Sequence, residues 1–379
     1  MRKRQLKLAI TIALSLSILA IAPVGCTGYL SELADNPDHQ LHESGRKGDV
    51  KATFLGVTSV LLDDGKTQIM IDGFLSRQKH WLVRRVSPKI EDIPDLLAKA
   101  GAERGHCAGT SEKTPDQCSS PAEIRGLAAV IPLHAHYDHA LDAPLVAARM
   151  SSFLVGDSSI RRIREASTEL EGANEVEYDW RETLFVDPSG TAPSKLKPCK
   201  ENTCRFGEFT VQLFPTPHVE SLLTCVATGE VEPRFSFPAH LWKMKEGSTL
   251  TALITHRKRK LLIVPSTGEI TNQLDRAGNA DVAMLGISGL GIKSSEYREQ
   301  YWSRTVSERR VRRVLPVHWD SDTHPLPEDP GGHLAPGLNL ADITLRHYQK
   351  LATTSDRKVE IKFLPVLKPV DIFTGLNLM

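Results

Sequence analysis

The feature that most constrains this chain is a histidine-rich turn directly after a short apolar run. Residues 128–133 read AAVIPL, which is typical of a buried β-strand, and His134-Ala-His136-Tyr-Asp138-His139 follows at once. In an extended chain, residues two apart share a side, so His134 and His136 face one point. Imidazole nitrogen and carboxylate oxygen suit zinc and related first-row metals. The turn therefore predicts a metal site at a strand end; a polar surface turn is the alternative.

Other side chains of the metal-ligand type also stand just past apolar runs. They are His218 after 209–214, His318 after 314–317, Glu269 after 261–264, and Asp72 at the end of IMID. Taken singly, each reads equally well as a capping carboxylate or a partly buried histidine. Loops at the carboxyl ends of strands are where sites are built. Together with the histidine turn, these residues predict one site assembled from five strand ends.

The order of elements along the chain predicts an α/β protein with mixed sheets. Strands are predicted at 51–56, 58–62, 68–71, 128–133, 209–214, 249–255, 260–264, 282–285, 314–317 and 359–363. Helices are predicted at 93–100, 141–150, 158–170, 270–277, 294–306 and 340–351. Early hairpins followed by alternating strands and helices indicate mixed sheets covered by helices.

Composition excludes several classes of protein. Of 379 residues, 40% are hydrophobic and 25% are charged, which is near the average for folded domains and excludes disordered and collagen-like chains. The 47 basic and 46 acidic residues nearly cancel, so no nucleic-acid partner is expected. With no strong linker after residue 48, we expect a leader at 1–25, a polar tether at 26–48 and one catalytic domain at 49–379.

The first residues predict export. MRKRQLK is basic, and the apolar run 8–24 follows, as in a secretory signal. An uncleaved anchor, a core helix and a lipoprotein signal are the alternatives; in the last, Cys26 after Gly25 is lipidated, although Pro23 departs from the usual pattern. We therefore expect a periplasmic protein or one anchored to the inner or outer membrane through its N-terminus.

Cysteine spacing agrees with an oxidising compartment. Cys107 and Cys118 bracket one short polar segment, and Cys199 and Cys204 bracket another. Each pair is predicted to form a disulfide, with one structural zinc shared by all four as the alternative. Cys225 is expected to be a buried thiol.

The combination of these motifs resembles the metallo-β-lactamase superfamily over roughly residues 50–320. The opening TFLGVTSVLLDDGKTQIMIDGFLS is similar to the branch of ascorbate-phosphate lactonases and N-acylphosphatidylethanolamine phospholipase D-like enzymes. The resemblance implies a four-layer αββα sandwich with metals at one edge. It also implies a hydrolase that uses one or two Zn²⁺ per chain, with Mn²⁺ or iron as alternatives.

The resemblance assigns roles to residues of this chain. His134, His136 and His218 resemble the ligands of a first metal, and Asp138, His139 and His318 those of a second. Glu269 stands where the family usually has a bridging Asp, so it departs from the pattern by one methylene. Asp72 resembles the acid that supports the histidine loop from outside the coordination sphere.

The predicted activity is hydrolysis of an ester-type bond by a metal-bound hydroxide, with Asp138 orienting the nucleophile and transferring a proton. Phosphodiesters, phospholipid-like substrates and lactones all fit this chemistry. The candidate substrate contacts are Tyr137, His240 and Trp319, with Asp320 and His324 as further candidates. A non-catalytic metal-binding or scaffolding protein and an exported zinc-capture protein are the alternative functions.

Overall fold

A computed structural model describes residues 36–41, 50–77, 85–173, 184–185, 199–200, 202–220, 227–324, 326, 340–355 and 357–376. The predicted leader at 1–25 and most of the tether at 26–48 lie outside this part, as do Cys26 and Cys225.

Within the described residues, two eight-stranded sheets form the centre of the fold. In chain order the strands are β1 (Lys51–Gly56), β2 (Ser59–Asp63), β3 (Thr67–Ile71), β4 (Arg85–Val86), β5 (His106–Cys107), β6 (Ile124–Ile131), β7 (Phe153–Gly156), β8 (Leu184–Phe185), β9 (Cys199–Lys200), β10 (Thr203–Phe206), β11 (Phe209–Pro215), β12 (Ala239–His240), β13 (Leu250–His256), β14 (Arg259–Val264), β15 (Val282–Gly286), β16 (Arg313–Val317), β17 (Glu360–Ile361) and β18 (Val370–Asp371).

Both sheets combine parallel and antiparallel pairing. The first has the order β18-β1-β2-β3-β6-β7-β8, with β5 beside β6; its strands pair antiparallel from β18 to β3 and parallel from β3 to β8. The second has the order β17-β16-β15-β14-β13-β11-β10-β9. Its strands are parallel from β17 to β14 and antiparallel beyond. The short strands β4 and β12 pair with each other.

Helices cover the outer faces of both sheets. They are α1 (Ile93–Ala100), α2 (Tyr137–Ala140), α3 (Ala143–Arg149), α4 (Ser158–Thr168), α5 (Ser295–Trp302) and α6 (Ala341–Thr354). A single π-helical turn at Ser303–Ser307 continues α5. Among the described helices, none combines the length and the apolar character that a bilayer crossing requires.

Alternation along the strands of the first sheet produces two buried faces. Successive side chains of a strand point to opposite faces. Leu62 packs in the cluster that also contains Val211 and Leu262 of the second sheet. Its neighbour Leu61 packs on the other face, in a cluster with Val146 of α3. The first sheet is therefore buried between the second sheet and a layer of helices.

The second sheet is covered in the same way by α5 and α6. The rings of Trp302 and Tyr348 lie 4.9 Å apart between centroids and belong to the cluster that contains the strands of this sheet. The order of layers is thus helix, sheet, sheet, helix. This confirms the predicted αββα sandwich.

Strand direction places the predicted site residues at one edge. β3 and β6 are parallel, so Asp72 and His134 both follow at the same end of the first sheet. In the second sheet β14 and β16 run in the same direction, and β11 does too because it is two antiparallel steps from β14. The backbone N–H of His318 donates to the carbonyl of Val57, just past β1, at 2.7 Å. This bond joins the corresponding edges of the two sheets.

Gly56 makes room for a buried ion pair at this junction. Its φ is +97°, and a Cβ there would lie 1.9 Å from Nη2 of Arg77. Arg77 pairs with Asp320 at 3.3 Å, and both side chains are almost fully buried. A residue with a side chain at position 56 would therefore displace this pair.

The helix predicted at 270–277 is wrong. The segment forms consecutive turns, in which Asp275 N donates to Asn272 O and Ala277 N donates to Leu274 O. The side chain of Gln273 accepts a bond from the Thr271 backbone at 2.8 Å. Local side-chain bonds of this kind compete with helix formation, although the apolar spacing of the segment resembles a helical stripe.

The predicted disulfides are confirmed. Cys107 is bonded to Cys118, and Cys199 is bonded to Cys204 across the paired strands β9 and β10. Each sulfur is engaged in its own pair, so the alternative of a shared structural zinc is wrong.

Candidate metal centre

Three imidazoles converge at the strand-end edge and are called the first group: His134, His136 and His218. Their ligand atoms all lie within 4.8 Å of one another. The ring of His134 is 4.9 Å from those of His136 and His218, which are 4.6 Å from each other. Three converging imidazole nitrogens form a donor set that is suited to zinc.

The loop that carries His134 and His136 is fixed by backbone hydrogen bonds. Leu133 N donates to Oδ1 of Asp72 at 2.8 Å, and Ala135 N donates to the carbonyl of Glu246 at 2.8 Å. The carbonyl of Leu133 accepts from Leu250 N, at the start of β13, also at 2.8 Å. The loop is therefore held by both sheets, and its two histidines have little freedom to diverge.

His134 tests whether a cation fits the first group. Its side chain is buried, and within the described part of the chain neither ring nitrogen has a hydrogen-bond partner. A buried polar atom without a partner costs about 1–3 kcal/mol. A cation among these rings would bind one of those nitrogens, so the residues fit the metal.

The other two imidazoles have their ring protons placed by backbone carbonyls. Nε2 of His136 contacts the carbonyl of Ala227 at 3.2 Å, and Nδ1 of His218 contacts that of Val219 at 3.0 Å. Each contact fixes the proton on one nitrogen, which leaves the lone pair of the other for a cation.

Burial keeps the first group in the ligand form. It lowers the pKa of His134 and of His136, and the neighbouring imidazoles add to the effect on His134. Burial followed by the proximity of His136 lowers the pKa of His218 to about 3. All three rings are therefore neutral near pH 7, as metal binding requires.

Asp138, His139 and His318 form the second group. Their ligand atoms also lie within 4.8 Å of one another. Oδ2 of Asp138 is 3.7 Å from Nε2 of His139 and 3.3 Å from Nε2 of His318. The centroids of the His139 and His134 rings lie 3.7 Å apart, with the rings tilted by 43°, so the two groups adjoin.

His139 is held by a carboxylate behind it. Its Nδ1 lies 2.7 Å from Oδ2 of Asp72, and the Thr58 hydroxyl donates to the same oxygen. Burial lowers the pKa of His139, but Asp72 and Asp138 outweigh this and raise it overall. The contact with Asp72 directs Nε2 toward Asp138, which is the arrangement expected of a supporting acid.

Asp138 is ionised despite its burial. Burial alone would raise the pKa of this carboxyl, but His139 and His318 outweigh it and hold the pKa well below the usual range. Asp138 therefore presents a carboxylate between the two imidazoles at neutral pH.

Glu269, predicted to bridge the two metals, is exposed and belongs to neither group. The preceding Gly268 explains its position, because a Cβ there would lie 1.9 Å from the carbonyl of Pro217. The loop after β14 thus approaches the His218 loop with its backbone. The other six predicted ligands all belong to the first or the second group.

The three candidate substrate contacts have different surroundings. Trp319 is only 1% exposed and stacks on Phe54 at 5.7 Å, so it is a core residue and the predicted contact is wrong. His240 lies in β12 and stacks on Trp242 at 4.4 Å. Tyr137 is buried, and its phenol donates to Asp322.

Sequence reasoning missed three polar residues in the loops and turns around these groups. Thr58 carries no motif, and only its contact with Asp72 reveals it. Asp142 is buried and accepts bonds from Ser76 through its N–H at 2.7 Å and its hydroxyl at 2.6 Å. Asp322 stands four residues after His318, and that proximity was the available signal.

The fold and the site together define a class: an αββα protein with two adjacent groups at one edge that are able to hold metal ions. No family model and no curated protein sequence matches the chain. Any assignment below this class therefore depends on the chemistry of the two groups.

Several solved structures resemble the chain at low identity. Igni18, a metallo hydrolase from the archaeon Ignicoccus hospitalis, is 15% identical, with 85% of this chain and 97% of that one covered and a TM-score of 0.41. The metallo-β-lactamase fold protein YhfI from Bacillus subtilis is 11% identical, with 85% and 98% covered and a TM-score of 0.44. Yeast PDE1 is 10% identical, with 86% and 99% covered and a TM-score of 0.45. These TM-scores are too low to establish family membership.

Proposed function

We propose that this protein is a metal-dependent hydrolase that cleaves an ester-type bond at the edge where the two groups meet. The observation that carries the proposal is His134, a buried imidazole with no hydrogen-bond partner in the described residues, lying among other side chains of the metal-ligand type. A cation bound among these side chains would give this histidine the partner that it lacks.

The donor types are consistent with one cation bound by each group. His134, His136 and His218 would hold one cation, and Asp138, His139 and His318 a second. When bound, such cations supply an acidified water and a Lewis acid for the scissile bond.

The chain itself supplies the handling of the proton. Asp138 is a carboxylate at neutral pH, and its Oδ2 lies between two imidazoles. It orients the attacking water by accepting a hydrogen bond from it. Because its pKa is low, it relays the proton of that water to the leaving group without retaining it. Asp72 keeps His139 in one orientation during these steps.

The finer assignments rest on the sequence. The resemblance of the opening segment favours a phosphodiester, a phospholipid-like compound or a lactone as the substrate, within the lactonase and phospholipase D-like branch. Imidazole-rich ligation favours zinc, with Mn²⁺ or iron as alternatives. The basic and apolar N-terminus favours export, with Cys26 as a lipid attachment point, and no nucleic-acid partner is expected.

The decisive experiment combines metal analysis with a substrate panel. The full chain is purified, its metal content measured, and its turnover of ester, lactone and phosphodiester substrates followed with added Zn²⁺ or Mn²⁺. We expect bound metal and metal-dependent turnover that His136→Ala abolishes. His106→Ala, outside both groups, is the matched control and should retain activity.

Two outcomes would reject the hydrolase. Tight metal binding without turnover on the whole panel would favour a non-catalytic metal-binding or scaffolding protein, for which the exposed Glu269 is the supporting observation. Rapid exchange of the metal without turnover would favour an exported zinc-capture protein.

A further inference from the structure

Two stretches of backbone lie beside the ring of His136 and are together called the stem: 227–229 and 246–248. The carbonyl of Ala227 accepts a hydrogen bond from Nε2 of His136 at 3.2 Å. The N–H of Glu246 donates to the same carbonyl at 2.9 Å, which joins the two stretches. The stem therefore determines where the acceptor for the His136 ring lies.

The stem is attached to the first turn of α4 by a residue to which the sequence assigned no role. Asp157 precedes the helix, and its Oδ1 accepts from Ser159 N at 2.9 Å and from Ile160 N at 3.1 Å. Its Oδ2 accepts from Ser248 N, in the stem, at 2.6 Å. One oxygen of this carboxylate thus caps the helix, and the other holds the stem.

Gly247 allows the stem and the helix to approach this closely. Its φ is +61°, and a Cβ there would lie 2.7 Å from Oδ2 of Asp157 and 2.9 Å from Cβ of Ser159. The N–H of Gly247 also donates to the carbonyl of Gly229 at 2.9 Å, across the stem. The hydroxyl of Ser159 accepts from Val231 N at 3.1 Å, just beyond the stem. The contact is therefore close, with no space for a further side chain at position 247.

Helix capping alone does not explain this arrangement. A capping side chain needs a single oxygen, as at α5, where the hydroxyl of Ser294 accepts from Tyr297 N at 3.2 Å. The second oxygen of Asp157 is not used by the cap and accepts from the stem instead. A carboxylate forms a stronger hydrogen bond with a backbone N–H than a neutral acceptor does. The stem is thereby held against α4 on one side while it contacts His136 on the other.

We propose that Asp157 is a positioning residue for the first group: by holding the stem, it keeps the Ala227 carbonyl against His136 and the ring proton on Nε2. Nδ1 of His136 is then the nitrogen left for a cation. The inference rests on the proposed metal-dependent function, because it assigns this orientation of the ring to metal binding. Asp157 acts through the stem and is not itself assigned as a ligand.

The first measurement is made on the metal-free full-length protein and needs no substrate. Histidine rings are isotopically labelled on nitrogen, and the NMR signals of His136 are assigned by their loss in His136→Ala. The wild type should show mainly the tautomer with the proton on Nε2. Asp157→Ser keeps one capping oxygen but lacks the oxygen that accepts from Ser248, so the ring of His136 should show a mixture of tautomers.

The second measurement is a calorimetric titration of the same proteins with Zn²⁺. The ion of the first group is the one that His136→Ala loses. Asp157→Ser should weaken this ion about tenfold, at the lower end of the loss that follows removal of a ligand's own partner, because Asp157 acts through one further contact. The ion of the second group should bind as in the wild type.

Further variants separate this role from a general effect on stability. Gly247→Ala disturbs the same contact from the stem and should have the same two effects, and combining it with Asp157→Ser should add little. Ser294→Ala is the matched control, since it removes a helix cap from α5; it should lower thermal stability and leave the tautomer and the zinc affinity unchanged. Circular dichroism and thermal melting check that each variant is folded.

The outcomes distinguish the two proposals. If the wild type binds no metal but the tautomer changes as expected, the proposed function fails and the positioning by Asp157 stands. If the wild type binds metal and Asp157→Ser leaves the tautomer or the affinity of the first ion unchanged, the role of Asp157 is refuted while the function stands. The role is also refuted if Asp157→Ser and Gly247→Ala have fully additive effects, or if Ser294→Ala weakens the first ion equally.

Discussion

In the candidate metal centre, the side chains of the two groups are held in place by different interactions. The first group consists of three imidazoles whose pKa values are lowered by burial, and His134 has no partner in the described residues. The second group combines carboxylates with imidazoles: Asp138 lies between His139 and His318, and Asp72 holds His139 from behind. Packing and backbone bonds therefore shape the first group, whereas contacts between carboxylates and imidazoles shape the second.

Because of this difference, we expect mutation and pH to change the metal affinity and the stability of the two groups in different ways. A group of neutral, buried imidazoles is preorganised for a cation and penalised without one. A group in which carboxylates contact imidazoles already satisfies many of its own interactions, so it is less dependent on a cation and more dependent on its supporting acids.

The largest effect is expected from loss of a first-group ligand. His136→Ala should remove the first ion and reduce turnover by about 1,000-fold or more, because no other donor replaces the imidazole. Metal counting and steady-state kinetics check this. Retention of full activity by the variant would contradict the assignment of the first group.

The next largest effect is expected on the stability of the loop that follows His318. Arg77→Met leaves Asp320 buried without its partner, which typically costs about 3–5 kcal/mol of unfolding free energy. Arg77 also donates to the carbonyl of Ser321 at 2.6 Å, so the loop after His318 should loosen as well.

Urea denaturation measures this loss, and Arg161→Met is the control. Arg161 pairs with Glu165 on the surface of α4, with about half of each side chain exposed, and its replacement should change stability by less than about 1 kcal/mol. Equal effects of the two substitutions would show that the buried pair has no special role.

Asp72→Asn should affect the metal affinity of the second group much more than that of the first. The amide cannot stabilise His139 as the carboxylate does, so the second ion should bind about 10–100-fold more weakly, and the first ion should be little affected. Calorimetric zinc titration checks this, with Asp95→Asn on the surface of α1 as the control. An equal loss of both ions would indicate that Asp72 acts by holding the shared loop through Leu133.

The smallest effect is expected for the pH dependence of the free energy of unfolding of the metal-free protein. The pKa of His218 is about 3 in the folded protein and about 6.5 in the unfolded chain, so only the unfolded chain takes up the proton as the pH falls. The free energy of unfolding should decrease by about 1.6 kcal/mol for His218 between pH 6.5 and 5.

The second group should respond in the opposite direction. The raised pKa of His139 contributes stability that is present below pH 6.5 and is lost as the pH rises through the folded pKa. Urea denaturation of the metal-free protein across this range checks both signs. His218→Asn should flatten the loss of stability on acidification, and an unchanged slope would contradict the lowered pKa of His218.

Sequence patterns located the strand ends well because strand direction and polar residues after apolar runs are local signals. From these patterns alone, His218 and His318 were predicted to lie close to the histidine turn. They failed where orientation depends on a distant neighbour. Glu269 is exposed, and the backbone of Gly268 before it approaches Pro217 closely; Asp322 accepts a hydrogen bond from Tyr137 of another loop. Trp319, beside a ligand in sequence, belongs to the core between the sheets.

Asp72 and His318 share an unusual backbone: each follows its strand with φ at +59°. A residue with a Cβ adopts this left-handed conformation at a cost of about 1–2 kcal/mol, which glycine avoids. Glycine at position 318 would therefore relax the backbone of the chain while removing an imidazole. A substitution favoured only by stability, such as glycine at position 318, would remove a candidate metal ligand. Stability and metal binding therefore place opposite demands on the backbone at this position.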